Sequence, residues 1–216
     1  MNDIKIDRTM LWATTLFTVS NPMHEQIAGG LKRHIYGLRE KADAEVMSGV
    51  AGSIKTNLFE STFDFFSSEV EEVKTLKQFC GQMTMEIVRH VNAAFWSTVD
   101  QFSLSFQDSW CHVTTDGGFH EWHNHPNCSW CGIYYVDIGD STPENGANAF
   151  YDPRSPSMSY VDHGTRYLED DLRVRVPPQN GTLLIFPSYL YHSGTLYRGE
   201  RDRLLVSFNA RILEGG

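Results

Sequence analysis

The residues able to do chemistry fall in two histidine segments far apart in the chain. The first is Glu121-Trp122-His123-Asn124-His125-Pro126. The second is Phe186-Pro187-Ser188-Tyr189-Leu190-Tyr191-His192, with Arg203 beyond it. Imidazoles at i and i+2 on an extended strand point to one side, and a third from a distant strand can close a metal site around them. His123, His125 and His192 are therefore the candidate ligands. Glu121, two residues before His123 and of the same parity, is the alternative: the carboxylate of a two-His, one-carboxylate triad, or a hydrogen-bonding partner behind the ligands. Imidazole suits iron, zinc, copper and nickel, so residue type alone does not choose the metal. The planar fork of Arg203 suits a carboxylate held at two points. Together the residues read as a mononuclear iron site on a β-barrel, with an acidic co-substrate.

These groups need a scaffold, and the second half of the sequence supplies short strands. Segments 103–114, 129–136, 147–151, 172–176, 181–186 and 203–212 are rich in β-branched and aromatic residues. Turn material separates them, such as Asp116-Gly117-Gly118 and Arg198-Gly199. Many short strands at such intervals predict a barrel or a double-sheet jelly roll. In the last strand, alternation places Arg203, Leu205, Ser207 and Asn209 on one face and Leu204, Val206 and Phe208 on the other. The apolar face should pack under helices and the other should look into the barrel. Arg201 shares the parity of Arg203 but sits in a turn, where solvation is expected.

The first half is scaffold. Met10 to Val19 reads as an opening strand, and Asn21-Pro22 as a helix start. Ile27, Leu31, Ile35 and Leu38 recur at helical spacing. A second helix follows Ser68-x-x-Glu71, a capping-box pattern, with Val73, Leu76, Phe79, Cys80, Met83, Ile87 and Val91 along one face. Residues 47–62 show no period and read as a loop. The expectation is a single domain over 1–216, with a strand and supporting helices in 1–100 and the jelly-roll core in 101–216.

Composition bounds the reading. With 216 residues and 41% hydrophobic content, the chain can bury a core of its own. A net charge of −9 disfavours gripping phosphate backbones, so nucleic acid is not an expected partner. No apolar run is long enough for a membrane span, and the charged N-terminus does not resemble a secretory signal. A cytoplasmic protein with reduced cysteines is expected.

The ordered set His123-x-His125-Pro126, Gly132-Ile133-Tyr134-Tyr135-Val136, Asp152-Pro153-Arg154, Phe186-Pro187-Ser188, His192 and Arg203 to Asn209 resembles the iron(II)- and 2-oxoglutarate-dependent oxygenases. Within that superfamily it is most similar to small bacterial and phage members, over about residues 105–212. The resemblance implies a double-stranded β-helix, mainly β with N-terminal helices. It implies Fe(II) and 2-oxoglutarate as cofactors, dioxygen as co-substrate, and hydroxylation of a further substrate that the sequence does not name. It puts His123, His125 and His192 at the iron-ligand positions and Arg203 at the arginine holding the distal carboxylate of 2-oxoglutarate. Tyr135 matches a tyrosine that bonds the same carboxylate in some relatives, and Ser207 is a further candidate. The pattern departs from the superfamily at His125, which stands where a carboxylate is usual. The oligomeric state is open, a homodimer included.

Two other readings compete. The spacing approaches the cupin signature, which would make this a 2-oxoglutarate-independent metalloprotein: a dioxygenase, an isomerase or a binding module. The glutamate a cupin needs shortly after His125 is replaced by Ser129 and Trp130, and a cupin has no need of Arg203. The third reading is a structural zinc knot using Cys128-x-x-Cys131.

Overall fold

The computed structural model describes residues 13–44, 55–96, 102–154, 163 and 173–214. Among these residues, nine strands and two long helices run in the order β1 (Phe17–Ser20), α1 (His24–Ala44), β2 (Lys55–Glu60), α2 (Glu71–Asn92), β3 (Phe102–His123), β4 (Trp130–Asp137), β5 (Asn148–Tyr151), β6 (Arg173–Val176), β7 (Thr182–Pro187), β8 (His192–Gly194) and β9 (Arg203–Glu214). The strands form one curled sheet in the order β1-β7-β4-β9-β3-β8-β5-β6, with β2 added to β3. Every named strand pair is antiparallel. This is the jelly roll, a double-stranded β-helix with helices covering one side. No helix among the described residues is long and apolar enough to cross a membrane.

Both helices bury the stripes their sequences carry. Ile27, Leu31 and Ile35 of α1 and Val73, Leu76, Cys80 and Val88 of α2 enter one core with Tyr134, Val136, Leu183, Ile185, Leu204, Val206 and Phe208 of the sheet. Each fully buried aliphatic side chain there contributes about 1.5–3 kcal/mol by leaving water. Helix α1 begins just after a turn in which the Asn21 side chain accepts a bond from the Met23 N–H at 2.9 Å. Asn21 and His24 both reach the Tyr134 hydroxyl, at 3.1 and 2.9 Å, and so tie this helix start to β4.

Several expected elements differ. The capping box before α2 does not form: the N-cap is Val70, with no side-chain cap bond, and Ser68 instead accepts from the Val70 N–H at 3.3 Å. Strand β1 begins at Phe17 rather than Met10; residues 10–12, 47–54 and 172 of the expected elements lie outside the described residues. Within the expected loop 47–62, residues 55–60 form strand β2 on β3. Its alternation is interrupted at Asn57, which has a φ of 44° and sits at a register shift, so periodicity could not reveal it. Strand β3 does not stop at Thr114. It kinks through Gly117, whose φ of 78° suits a residue without a Cβ, and runs on to His123. The kink is held by backbone bonds between Gly117 and Tyr197 (2.9 Å) and between Tyr197 and Gly118 (2.8 Å).

Candidate metal and co-substrate site

The extension of β3 past its kink builds the site. It lets His123 pair directly with His192 of the three-residue strand β8. Side chains of such cross-strand partners lie on one face, with Cβ atoms about 5 Å apart. His125 sits just beyond the end of β3. Its N–H donates to the Ser188 carbonyl at 3.1 Å, so the turn after β7 sets its position. The ligand nitrogens of His123, His125 and His192 all lie within 4.8 Å of one another. Their ring centroids are 4.3 to 5.3 Å apart. No other such group of three occurs among the described residues.

Local hydrogen bonds select the nitrogen that faces inward. His123 Nδ1 is 2.8 Å from the Glu121 carbonyl and His192 Nδ1 is 3.0 Å from the Leu190 carbonyl. Each Nδ1–H donates to its carbonyl and leaves Nε2 with a lone pair for a metal. His192 is 4% exposed. Burial, followed by the neighbouring His123, lowers its pKa to about 3. The ring is thus neutral, as a ligand must be. The Glu121 side chain is exposed, and its carboxylate is outside the three-histidine group; what it gives the site is the backbone carbonyl that orients His123.

Other polar groups stand behind His123. The His120 ring stacks on it with centroids 3.9 Å apart, and His112 meets His120 edge-on at 5.8 Å. His112 Nε2 lies 2.7 Å from the Glu60 carboxylate and 3.0 Å from Trp110 Nε1. Glu60 was not legible as part of the site, because it lies on β2, within the expected loop. Trp122 packs against Tyr151, Trp130 is part of the helix-side core, and Tyr191 is exposed. Arg154 pairs with Asp152 at 2.5 Å as a turn ion pair.

Arg203 lines the same pocket as the three histidines, together with Asn148, Phe186, Leu205 and Ser207. The guanidinium is 3% exposed. Its Nη2 donates to Asn148 Oδ1 at 2.7 Å, and its carbon lies 5.7 Å from the Tyr135 ring centroid. The Tyr135 hydroxyl donates to the same Asn148 oxygen at 2.8 Å. No carboxylate neighbours Arg203 among the described residues, and its Nε is buried without a hydrogen-bond partner. Burial lowers its pKa, yet a guanidinium keeps its charge in any protein environment. A buried cation lacking an anion is costly, so this end of the pocket suits a negatively charged group. Asn148, which organises both Arg203 and Tyr135, carries no motif; only the pairing of β5 with β8 brings it there. Arg201 is exposed and bound to Asp140 at 2.8 Å, as its place in a turn predicts.

A family profile described as "Putative 2OG-Fe(II) oxygenase" matches residues 108–209, the stretch that holds all three histidines and Arg203. The match spans 102 of the 216 residues, just under half of the chain. The match supports an oxygenase of the class that uses Fe(II) and 2-oxoglutarate over the cupin-type alternative. Solved structures share the fold at low sequence identity. A Pseudomonas putida prolyl-4-hydroxylase has a TM-score of 0.58 at 15% identity, covering 93% of this chain and 95% of that one. HygX from Streptomyces hygroscopicus, solved with nickel, 2-oxoglutarate and hygromycin B, has a TM-score of 0.58 at 14% identity over 92% and 83% of the two chains. The viral collagen prolyl hydroxylase of Paramecium Bursaria Chlorella virus-1, solved with 2-oxoglutarate, scores 0.56 at 10% identity over 90% and 94%. No curated protein matches the sequence. Cys128 and Cys131 lie outside the only three-ligand group found among the described residues, so the zinc-knot reading has no third ligand there.

Proposed function

We propose that His123, His125 and His192 hold Fe(II), that Arg203 receives the distal carboxylate of 2-oxoglutarate, and that the oxygenase hydroxylates a C–H bond of a further substrate. The observation that carries this reading is that three converging imidazoles and a guanidinium, buried with no carboxylate beside it among the described residues, open on one pocket. When bound, iron(II) activates dioxygen, and its reduction is coupled to the conversion of 2-oxoglutarate to succinate and carbon dioxide and to substrate oxidation.

The chain's own residues bind, orient and exclude water. The carbonyls of Glu121 and Leu190 hold two imidazoles in one tautomer. Asn148 accepts from Arg203 and Tyr135 together, so the guanidinium is fixed before an anion arrives. That pre-organisation lowers the ordering cost of binding. Ser207, on the same face of β9, adds a hydroxyl to the pocket wall, while Phe186 and Leu205 supply apolar lining. Three neutral imidazoles would leave the full dipositive charge of a bound iron at the site, where a carboxylate ligand would cancel one unit. With Arg203 beside it, the pocket strongly favours a dianion such as 2-oxoglutarate.

The test is metal analysis of the purified chain combined with succinate formation from 2-oxoglutarate under air. One iron per chain and slow succinate release without a primary substrate are expected. Stoichiometric iron with no 2-oxoglutarate consumption under any substrate supplied would contradict the reading.

A further inference from the structure

We infer that Cys128 and Cys131 form an oxidisable dithiol beside the metal site, closed to a disulfide by small-molecule disulfides and coupled to the position of His125. The two sulfurs are 3.6 Å apart and both thiols are free. A disulfide needs about 2 Å, so closure moves them together by roughly 1.5 Å and leaves only Ser129 and Trp130 inside the ring. The pair is reachable from one side. Cys128 is half-buried and lines an open surface hollow with Asn127 and Arg211, so an anionic disulfide would approach past a cation. Cys131 is buried and lines the metal pocket itself.

The reaction is thiol–disulfide exchange. The Cys128 thiolate, its proton lost to water, attacks one sulfur of RSSR. This gives a mixed disulfide and releases RS⁻, which takes up a proton. Cys131 then attacks the Cys128 sulfur, loses its own proton and releases the second RSH. The sum is two protein thiols and RSSR giving one protein disulfide and two RSH. The protein sulfurs are oxidised and the small disulfide is reduced.

Closure must disturb bonds now holding the metal loop. Cys128 Sγ contacts the His125 carbonyl at 3.7 Å, and Cys131 Sγ contacts Asn209 Oδ1 at 3.4 Å. The loop is also pinned to the turn after β7, where Ser188 Oγ donates to the Cys128 carbonyl at 2.6 Å and the His125 N–H donates to the Ser188 carbonyl at 3.1 Å. A shift at Cys128 therefore reaches His125 through two intervening residues, Pro126 and Asn127, of constrained backbone. Cys80 and Cys111 are buried in the helix-side core and act as internal controls.

The coupling to metal rests on the three-histidine reading; the disulfide itself does not. The experiment equilibrates the reduced 216-residue chain with glutathione disulfide at graded ratios to glutathione, followed by acid quench, intact mass and peptide mapping. A loss of two hydrogens mapped to Cys128 and Cys131, reversed by dithiothreitol, is expected. A persistent Cys128–glutathione adduct, or no loss of thiols, would overturn the proposal. Cys131→Ser, checked by its melting curve, should stop at that adduct, and absence of the adduct there would show Cys128 to be inaccessible and sink the idea. If Cys131→Ser does not fold, Cys128→Ser replaces it and should abolish the two-hydrogen loss; its persistence would contradict the pairing. Nickel(II) titration of the oxidised and reduced wild-type chains should show binding weaker by about tenfold after oxidation, and equal affinities would refute the link to His125. A chain that forms the disulfide yet binds no metal would defeat the proposed function and leave the dithiol standing.

Discussion

The two faces of strand β9 behave as different materials. On the helix side, Leu204, Val206, Phe208 and Ala210 enter a dry core closed by α1 and α2. On the other side, Arg203, Leu205 and Ser207 line a pocket with three histidines. Neighbouring residues along one strand thus serve folding and chemistry in turn, because successive side chains point to opposite faces of a sheet. The helix face gains from burying apolar surface. The pocket face bears a desolvated guanidinium with no carboxylate beside it among the described residues, and a deeply buried imidazole. A protein tolerates such burial where ligands later complete the charges.

Substitutions on either face can break this contrast. The largest effect is expected for His192→Ala: metal affinity and succinate formation should fall by more than about a hundredfold, measured by metal titration and product assay. A variant retaining stoichiometric iron would show that His192 is not a ligand. Next, Arg203→Ala removes the proposed receptor of a carboxylate, with an expected loss of roughly 2–5 kcal/mol in 2-oxoglutarate binding. The melting temperature of the metal-free protein should hold or rise, since a buried unpaired cation goes with it. Its immediate neighbour should behave in the opposite manner. Leu204→Ala is expected to cost about 2–5 kcal/mol of stability while leaving 2-oxoglutarate affinity unchanged in the protein that remains folded. If both variants lose both properties equally, the division between faces fails.

Acid sharpens the same comparison. His192 has a folded pKa of about 3, against about 6.5 for an unfolded histidine. Between those values the unfolded chain binds a proton that the folded metal-free chain does not. Stability therefore falls as pH drops through that window, by up to about 1.4 kcal/mol per pH unit from this residue. Denaturant melts of metal-free protein between pH 6.5 and 4 should show a shallower loss in His192→Leu than in wild type. An unchanged slope would contradict the assigned burial. The smallest effect belongs to Glu121→Gln, expected within about 0.5 kcal/mol in stability and neutral for iron, because it is the backbone carbonyl of Glu121 that orients His123. Loss of iron in that variant would restore the carboxylate as ligand.

The strands and both helices could be read from the sequence where periodicity is strong, as in Val73 to Val91 or Arg203 to Asn209. The parts that escaped are those set by distant partners. Strand β8 has three residues and no pattern of its own; it exists because β3 and β5 flank it. Strand β2 loses its alternation at Asn57. Asn148 and Glu60 are ordinary polar residues until the sheet closes and brings them to Arg203 and His112. The His and Arg pattern was legible because rare residue types at defined offsets carry information before folding. The hydrogen-bonding partners behind them do not.

The most direct test of the central claim is calorimetric titration of 2-oxoglutarate into the anaerobic Fe(II)-loaded chain, repeated with metal-free protein and with Arg203→Ala. One equivalent should bind to the loaded wild type, with affinity falling at least about tenfold when either the metal or the guanidinium is removed. Equal affinity in all three preparations would mean that the histidines and Arg203 do not form one site, and the account would be wrong.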